Sequence, residues 1–159
     1  MNERRDDEET PKERANRELI ELLNELRVVL PGVTVLLAFL LAVPFANGWT
    51  RVTRFQRDVF VVAFLSTAVS VALLTAPSSY HRLRFRHGHK EHMVKVGNRL
   101  SIAGIAASAV SLEAVVLLVM DAVLSLDAAI AAAVSLFVVV ASLWYGLPLV
   151  ARLRDRSAR

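Results

Sequence analysis

The chain has 159 residues, of which 55% are apolar and 21% charged, with no cysteine and a formal net charge of +4. That length suits one compact unit, and the lack of cysteine excludes a disulfide framework, a thiolate metal centre and a cysteine nucleophile. The apolar share exceeds the roughly 45–50% usual in soluble domains, and mean hydropathy is +0.46.

Residues 1–10, MNERRDDEET, contain no apolar run and are expected to form a disordered tail, not a secretory signal. Thr10, Pro11 and Glu13 then fall in register as a cap, a first-position proline and a capping-box glutamate. They predict an amphipathic cytoplasmic helix over 11–27. At about 100° per residue, Leu19, Ile20, Leu22, Leu23 and Leu26 share one side, and Glu18, Glu21 and Glu25 form an acidic stripe on the other with Arg14 and Arg17.

Four apolar blocks follow, at 28–46, 59–76, 100–120 and 128–151. Each approaches the roughly 20 residues that a helix needs to cross the hydrocarbon. The expected fold is all-α, a bundle of four transmembrane helices over 28–151, with a basic cytoplasmic tail at 152–159. Pro31 and Pro44 lie near the ends of the first block, where a lost backbone hydrogen bond costs least. Thr53-Arg-Phe-Gln56 is a capping-box pattern ahead of block two, and Asp127 stands where a cap for block four is wanted. Trp49, Trp144 and Tyr145 fall at block boundaries, as interfacial aromatics do.

Orientation follows from lysine and arginine. Six precede Val28, six lie between Pro77 and Arg99, and four lie in the tail; the 47–58 connection has three and the 121–127 connection none. Positive residues collect on the cytoplasmic side of short loops. Sixteen against three places both termini and the middle connection inside.

That middle connection, SYHRLRFRHGHKEH from residue 79, contains His81, His87, His89 and His92. Imidazole is a common zinc ligand, yet Arg86 and Lys90 oppose an incoming cation and no cysteine or acidic cluster completes a site, so no metal is expected. A pI near 10.1 invites a nucleic-acid reading. Insertion alone accounts for the basic loop, however, and no nucleic-acid partner is expected. Arg82, Arg84 and Arg86 are candidate contacts for anionic lipid, with the alternation turning Leu83 and Phe85 towards the bilayer. The same arginines are also the expected docking partner of the Glu18, Glu21 and Glu25 stripe.

Glu113 is the one charged residue inside block three. A carboxylate there costs several kcal/mol if charged, so it is expected to be protonated, paired or facing water. It shares a face with Ile102, Ala106 and Met120, while Gly104, Ser108 and Ser111 form a small-residue seam opposite. Two readings of Glu113 stand side by side. It is a proton or ion relay, with Asp121 near the outer mouth, or an acid hydrogen-bonded to Ser66 or Ser70.

No HExxH, GxSxG, phosphate-loop or GxGxxG pattern occurs, so neither catalytic residues nor a cofactor are expected. Three stretches, RELIELLNELRVVLPGVTVLLAFLLAVPF, FQRDVF and APSSYHRLRFR, together resemble a family of small bacterial four-helix membrane proteins classed as a domain of unknown function. Members are sometimes labelled sodium:proton antiporters. The resemblance covers about residues 16–105 and implies a multi-pass protein of the bacterial inner membrane with no established activity. The sequence therefore points to a non-enzymatic membrane module contacting lipids and either a second copy or another membrane protein. The alternative is a small proton- or sodium-coupled transporter using Glu113.

Overall fold

The structure is a computed structural model that describes residues 11–84 and 90–146. Among these residues all the regular structure is helical. The helices are α1 (Pro11–Ala42), α2 (Arg54–Arg84), α3 (Lys90–Val123) and α4 (Leu126–Ala141), the last continued by a π-helical turn at Ser142–Gly146. Four of its helical segments are long and apolar enough to cross a membrane.

The amphipathic segment and the first apolar block are one continuous helix of 32 residues. The composition changes at Val28 but the backbone does not. Pro31 consequently lies in the helix interior, where its missing N–H removes a bond to the carbonyl of Arg27. Thr34 folds its hydroxyl back onto the carbonyls of Leu30 and Pro31, each at 3.0 Å. Pro44 sits in a short 3-10 turn, Val43–Phe45, just past the end of α1.

Three helices share a pattern of burial. On α2 the buried positions are Phe60, Ala63, Thr67, Ser70, Leu74 and Pro77, and on α3 they include Gly97, Ser101, Gly104, Ser111 and Ala114. On α1 they are Leu19, Leu22, Leu26, Val33 and Leu40. Steps of three, four and seven give a period near 3.5, which keeps one seam facing its neighbours along a left-handed crossing. At one end Leu22, Leu26 and Val33 of α1 close on Leu74 of α2. At the other, Leu40 meets Phe60, Ala63 and Ala114. Among the described elements α4 packs on α3 alone, and Ala129 is its one fully buried residue.

Local chemistry fixes the connections. Gly48 takes φ 104°, a left-handed conformation that favours glycine, and so reverses the chain between α1 and α2. Trp49 then turns inward and meets the Phe60 ring edge-on, with centroids 4.7 Å apart. The capping box at α2 is closed in both directions. Gln56 N donates to Thr53 Oγ1 at 3.1 Å, and Thr53 N donates to Gln56 Oε1 at 3.0 Å. At α4 the cap is Ser125, whose hydroxyl accepts from Ala128 N at 3.3 Å, and not Asp127. The turn after Val123 is so short that Asp127 already lies in the first helical turn, where its charge still suits the helix dipole.

Candidate functional site

The contact between α2 and α3 is lined with hydroxyls. Thr67 of α2 and Ser111 of α3 share a short hydrogen bond. Ser111 also donates to the carbonyl of Ala63 at 3.0 Å, and Ser70 donates to the carbonyl of Gly104 at 2.7 Å. All three hydroxyl residues are fully buried. Gly104 permits the approach, since a Cβ there would fall 2.7 Å from Leu74 Cγ. These bonds rigidify the α2–α3 pair but leave no free donor or nucleophile, because each hydroxyl is spent on a carbonyl or on its neighbour.

A second polar contact closes the same pair at the end where α2 begins and α3 finishes. Gln56 Nε2 donates to Asp121 Oδ2 at 2.9 Å, across 65 residues of sequence. Gln56 therefore caps α2 and clamps α3 at once. Asp121 is held as an acceptor in this clamp. Nothing in the sequence marked the pair beyond two polar residues at corresponding block ends.

Glu113 lies on the side of α3 away from the hydroxyl seam. Its Oε1 is shut off from solvent with no hydrogen-bond partner, while the residue as a whole is half-buried. The expected serine partners are both committed elsewhere. Ser66 donates to the carbonyl of Val62 at 2.6 Å, and Ser70 is the residue bonded to Gly104.

At the opposite end of the bundle, Glu18, Glu21 and Glu25 are exposed on α1. Glu21 pairs with Arg17 at 3.4 Å, a contact in which both side chains are more than half exposed and which stabilises by a few tenths of a kcal/mol at most. The apolar side of this segment is narrower than the wheel suggested. Leu19, Leu22 and Leu26 are buried, Leu23 is half-buried, and Ile20 is 59% exposed.

The side chains of Arg82 and Arg84 lie outside the described residues, as do Arg86, His87 and His89 entirely and the side chains of His81 and His92. The same holds for the tails 1–10 and 152–159 and for Thr10. The α2 backbone is helical through Arg84, however, so a strand-like alternation of Arg82, Leu83 and Arg84 does not describe that stretch. Among the described residues no group of three potential metal ligands comes together.

Architecture thus defines a class: among the described residues, an all-α chain built on four long apolar helices, with a seam of small and hydroxyl residues between α2 and α3. Within that class, residues 8–148 match the model of the family of unknown function DUF6328, and the chain belongs to that family. The match runs through α4, beyond the 16–105 span over which the sequence stretches carried the resemblance. No curated protein and no solved structure matches the chain.

Proposed function

We propose that this chain is a four-span membrane protein with both termini and the α2–α3 connection in the cytoplasm. Its role is that of a non-enzymatic module acting through lipid or protein contacts at its cytoplasmic face. One observation carries the membrane reading: most of the apolar surface of the four long helices faces outward. The most apolar 18-residue windows of its four candidate spans are only 11%, 33%, 17% and 6% buried, whereas Thr67, Ser70, Ser101 and Ser111 are interior. Burial of apolar surface is the main favourable term in water, so such a bundle suits an apolar solvent. There, small residues and hydroxyls join helices.

The charge asymmetry supports the orientation, and a bacterial inner membrane is the setting that the family resemblance suggests. The mixed Arg17, Glu18, Glu21 and Glu25 surface falls at the end of the bundle where the α2 backbone ends, and in the sequence Arg82, Arg84 and Arg86 belong to the connection that begins there. That end is the proposed contact surface. A reporter fused after Leu124 should read outside and one after Gly88 inside. The reverse pattern would overturn the orientation, and release of the chain by alkaline carbonate would overturn the membrane reading.

A transport role for Glu113 is less well supported. The buried hydroxyls line the opposite side of α3, and Asp121 is engaged with Gln56. A proton- or sodium-flux assay in proteoliposomes, wild type against Glu113→Gln, separates the two readings. Flux that vanishes in the variant would displace the module reading.

A further inference from the structure

The first turns of α2 carry charge that the fold does not use. Arg54 and Arg57 are exposed, as is Arg51 in the turn before them. Among the described residues neither Arg54 nor Arg57 has an ion pair or a side-chain hydrogen bond. Asp58, four residues after Arg54, is exposed and makes no bridge to it. Asp121 is engaged by Gln56. α2 has no acidic residue in its first turn, so positive charge there opposes the helix dipole with nothing to offset it.

The face directly beneath these arginines is apolar. At about 100° per residue, Arg54, Arg57, Val61, Leu65 and Ala72 fall within about 80° of one another. All five are exposed, Val61 by 45% and Leu65 by 55%. Ala63, Ser70 and Leu74, through which α2 meets α1 and α3, lie on the opposite side. On the four-span reading, on which this inference rests, Val61, Leu65 and Ala72 face acyl chains. Arg57 and Arg54 then stand about one and two turns beyond Val61, where chains give way to headgroups. A guanidinium is the side chain best matched to phosphate oxygens.

We propose that this face of α2 is a site for an anionic phospholipid, with the headgroup phosphate on Arg54 and Arg57 and an acyl chain along Val61, Leu65 and Ala72. Charge and apolar surface follow one another here in the order in which a phospholipid presents them. Arg51, Arg54 and Arg57 against Asp58 leave two positive charges, so a headgroup with net negative charge is preferred to a zwitterion, whose ammonium the arginines repel. The site lies at the other end of the bundle from the Glu18, Glu21 and Glu25 surface.

Trp49 and Trp144 are the two native tryptophans. With both replaced by phenylalanine in the full-length chain, Val61→Trp reports on this face, and Leu65→Trp repeats the measurement one turn on. Phe39→Trp is the control. It is exposed on α1 at the same depth, since Leu40 meets Phe60, and no charged residue lies between Arg27 and Arg51. In phosphatidylcholine vesicles, quenching by brominated phosphatidylglycerol should show it preferred at positions 61 and 65 by roughly 5- to 30-fold, the range for one to two arginine–headgroup contacts. Position 39 should show no preference. Arg54→Gln with Arg57→Gln should abolish the preference, and Asp58→Asn should raise it. Equal quenching by the two lipids at position 61, the same preference at position 39, or a preference that survives the double substitution would each overturn the proposal. Inorganic phosphate at fixed ionic strength should leave the preference intact; its loss would make this a free-anion site and sink the lipid. Quenching without preference sinks the site alone, whereas no quenching by either brominated lipid at any position sinks the membrane reading.

Discussion

Alanine substitution at three glycines turns the packing into a graded test. A Cβ on Gly104 would lie 2.7 Å from Leu74 Cγ, 2.8 Å from Leu74 Cδ2 and 3.3 Å from Leu73 Cβ. Leu74 is fully buried and cannot swing aside. The helices cannot part freely either, because Ser70 grips the Gly104 carbonyl at 2.7 Å. Overpacking costs roughly 1–3 kcal/mol, and loss of the Ser70 bond adds about 0.6 kcal/mol. The gain in helix propensity offsets at most about 1 kcal/mol. Gly104→Ala should therefore destabilise by roughly 0.6–2.6 kcal/mol. At Gly97 the nearest atom is Leu22 Cδ2 at 3.0 Å, the end of a flexible side chain, and the terms nearly cancel. At Gly32 nothing lies within 4 Å, so alanine there should stabilise by up to about 1 kcal/mol. Reversible unfolding in mixed detergent micelles should rank the variants Gly32→Ala, then Gly97→Ala, then Gly104→Ala. Adding Leu74→Ala to Gly104→Ala should show favourable coupling of about 1 kcal/mol. If Gly104→Ala were as stable as wild type, or Gly97→Ala the worse of the two, the close approach of α2 and α3 would not be the constraint argued here.

The Gln56–Asp121 clamp predicts non-additivity. Gln56→Ala should cost about 1–2 kcal/mol, losing both the cap contact and the bond to Asp121. Asp121→Ala should cost about 1 kcal/mol and the double variant clearly less than the sum, which the same unfolding assay reads as a cycle. A fully additive cycle would deny the contact. At α4, Ser125→Ala should cost about 1 kcal/mol and Asp127→Ala only about 0.3–1 kcal/mol, because one removes a cap hydrogen bond and the other a charge near the dipole. Equal or reversed losses would reassign the cap to Asp127.

What the sequence made legible was local. Four apolar runs, the Thr53–Gln56 box and the lone Glu113 could be read because each depends on residues within a turn or two of one another. The continuity of α1 was missed because the change from amphipathic to apolar composition at Val28 was read as a boundary. The buried residues Leu19, Leu22, Leu26, Val33 and Leu40 in fact hold one register through it. Asp127 and Ser125 are both competent caps, and only the length of the turn after Val123 decides between them. Ser66 and Ser70 were plausible partners for Glu113 on chemistry alone. In a helix, though, a serine hydroxyl readily takes a carbonyl within its own helix, as Ser66 does. Ser70 finds one on α3. The Gln56–Asp121 link joins residues 65 apart, and no local pattern encodes it.

The distribution of hydrogen bonds bears on how the bundle could respond to a partner. Among the described residues, side-chain bonds join α2 to α3 along the seam and at the Gln56–Asp121 clamp. The inner contact of α1 with this pair rests on Leu22, Leu26, Val33 and their neighbours, and among the described elements α4 packs on α3 alone, its one fully buried residue Ala129. Dispersion contacts between apolar surfaces are non-directional and can slide, whereas buried hydroxyl bonds fix register. Among the described residues the α2–α3 pair is thus the one whose register is fixed by buried hydroxyl bonds. α1 joins the exposed charged stripe at one end to the bundle core at Leu40. A contact made at Glu18, Glu21 and Glu25 would reach α2 and α3 directly, because Leu22 and Leu26 on the same turns pack on Leu74 and Leu22 lies against Gly97.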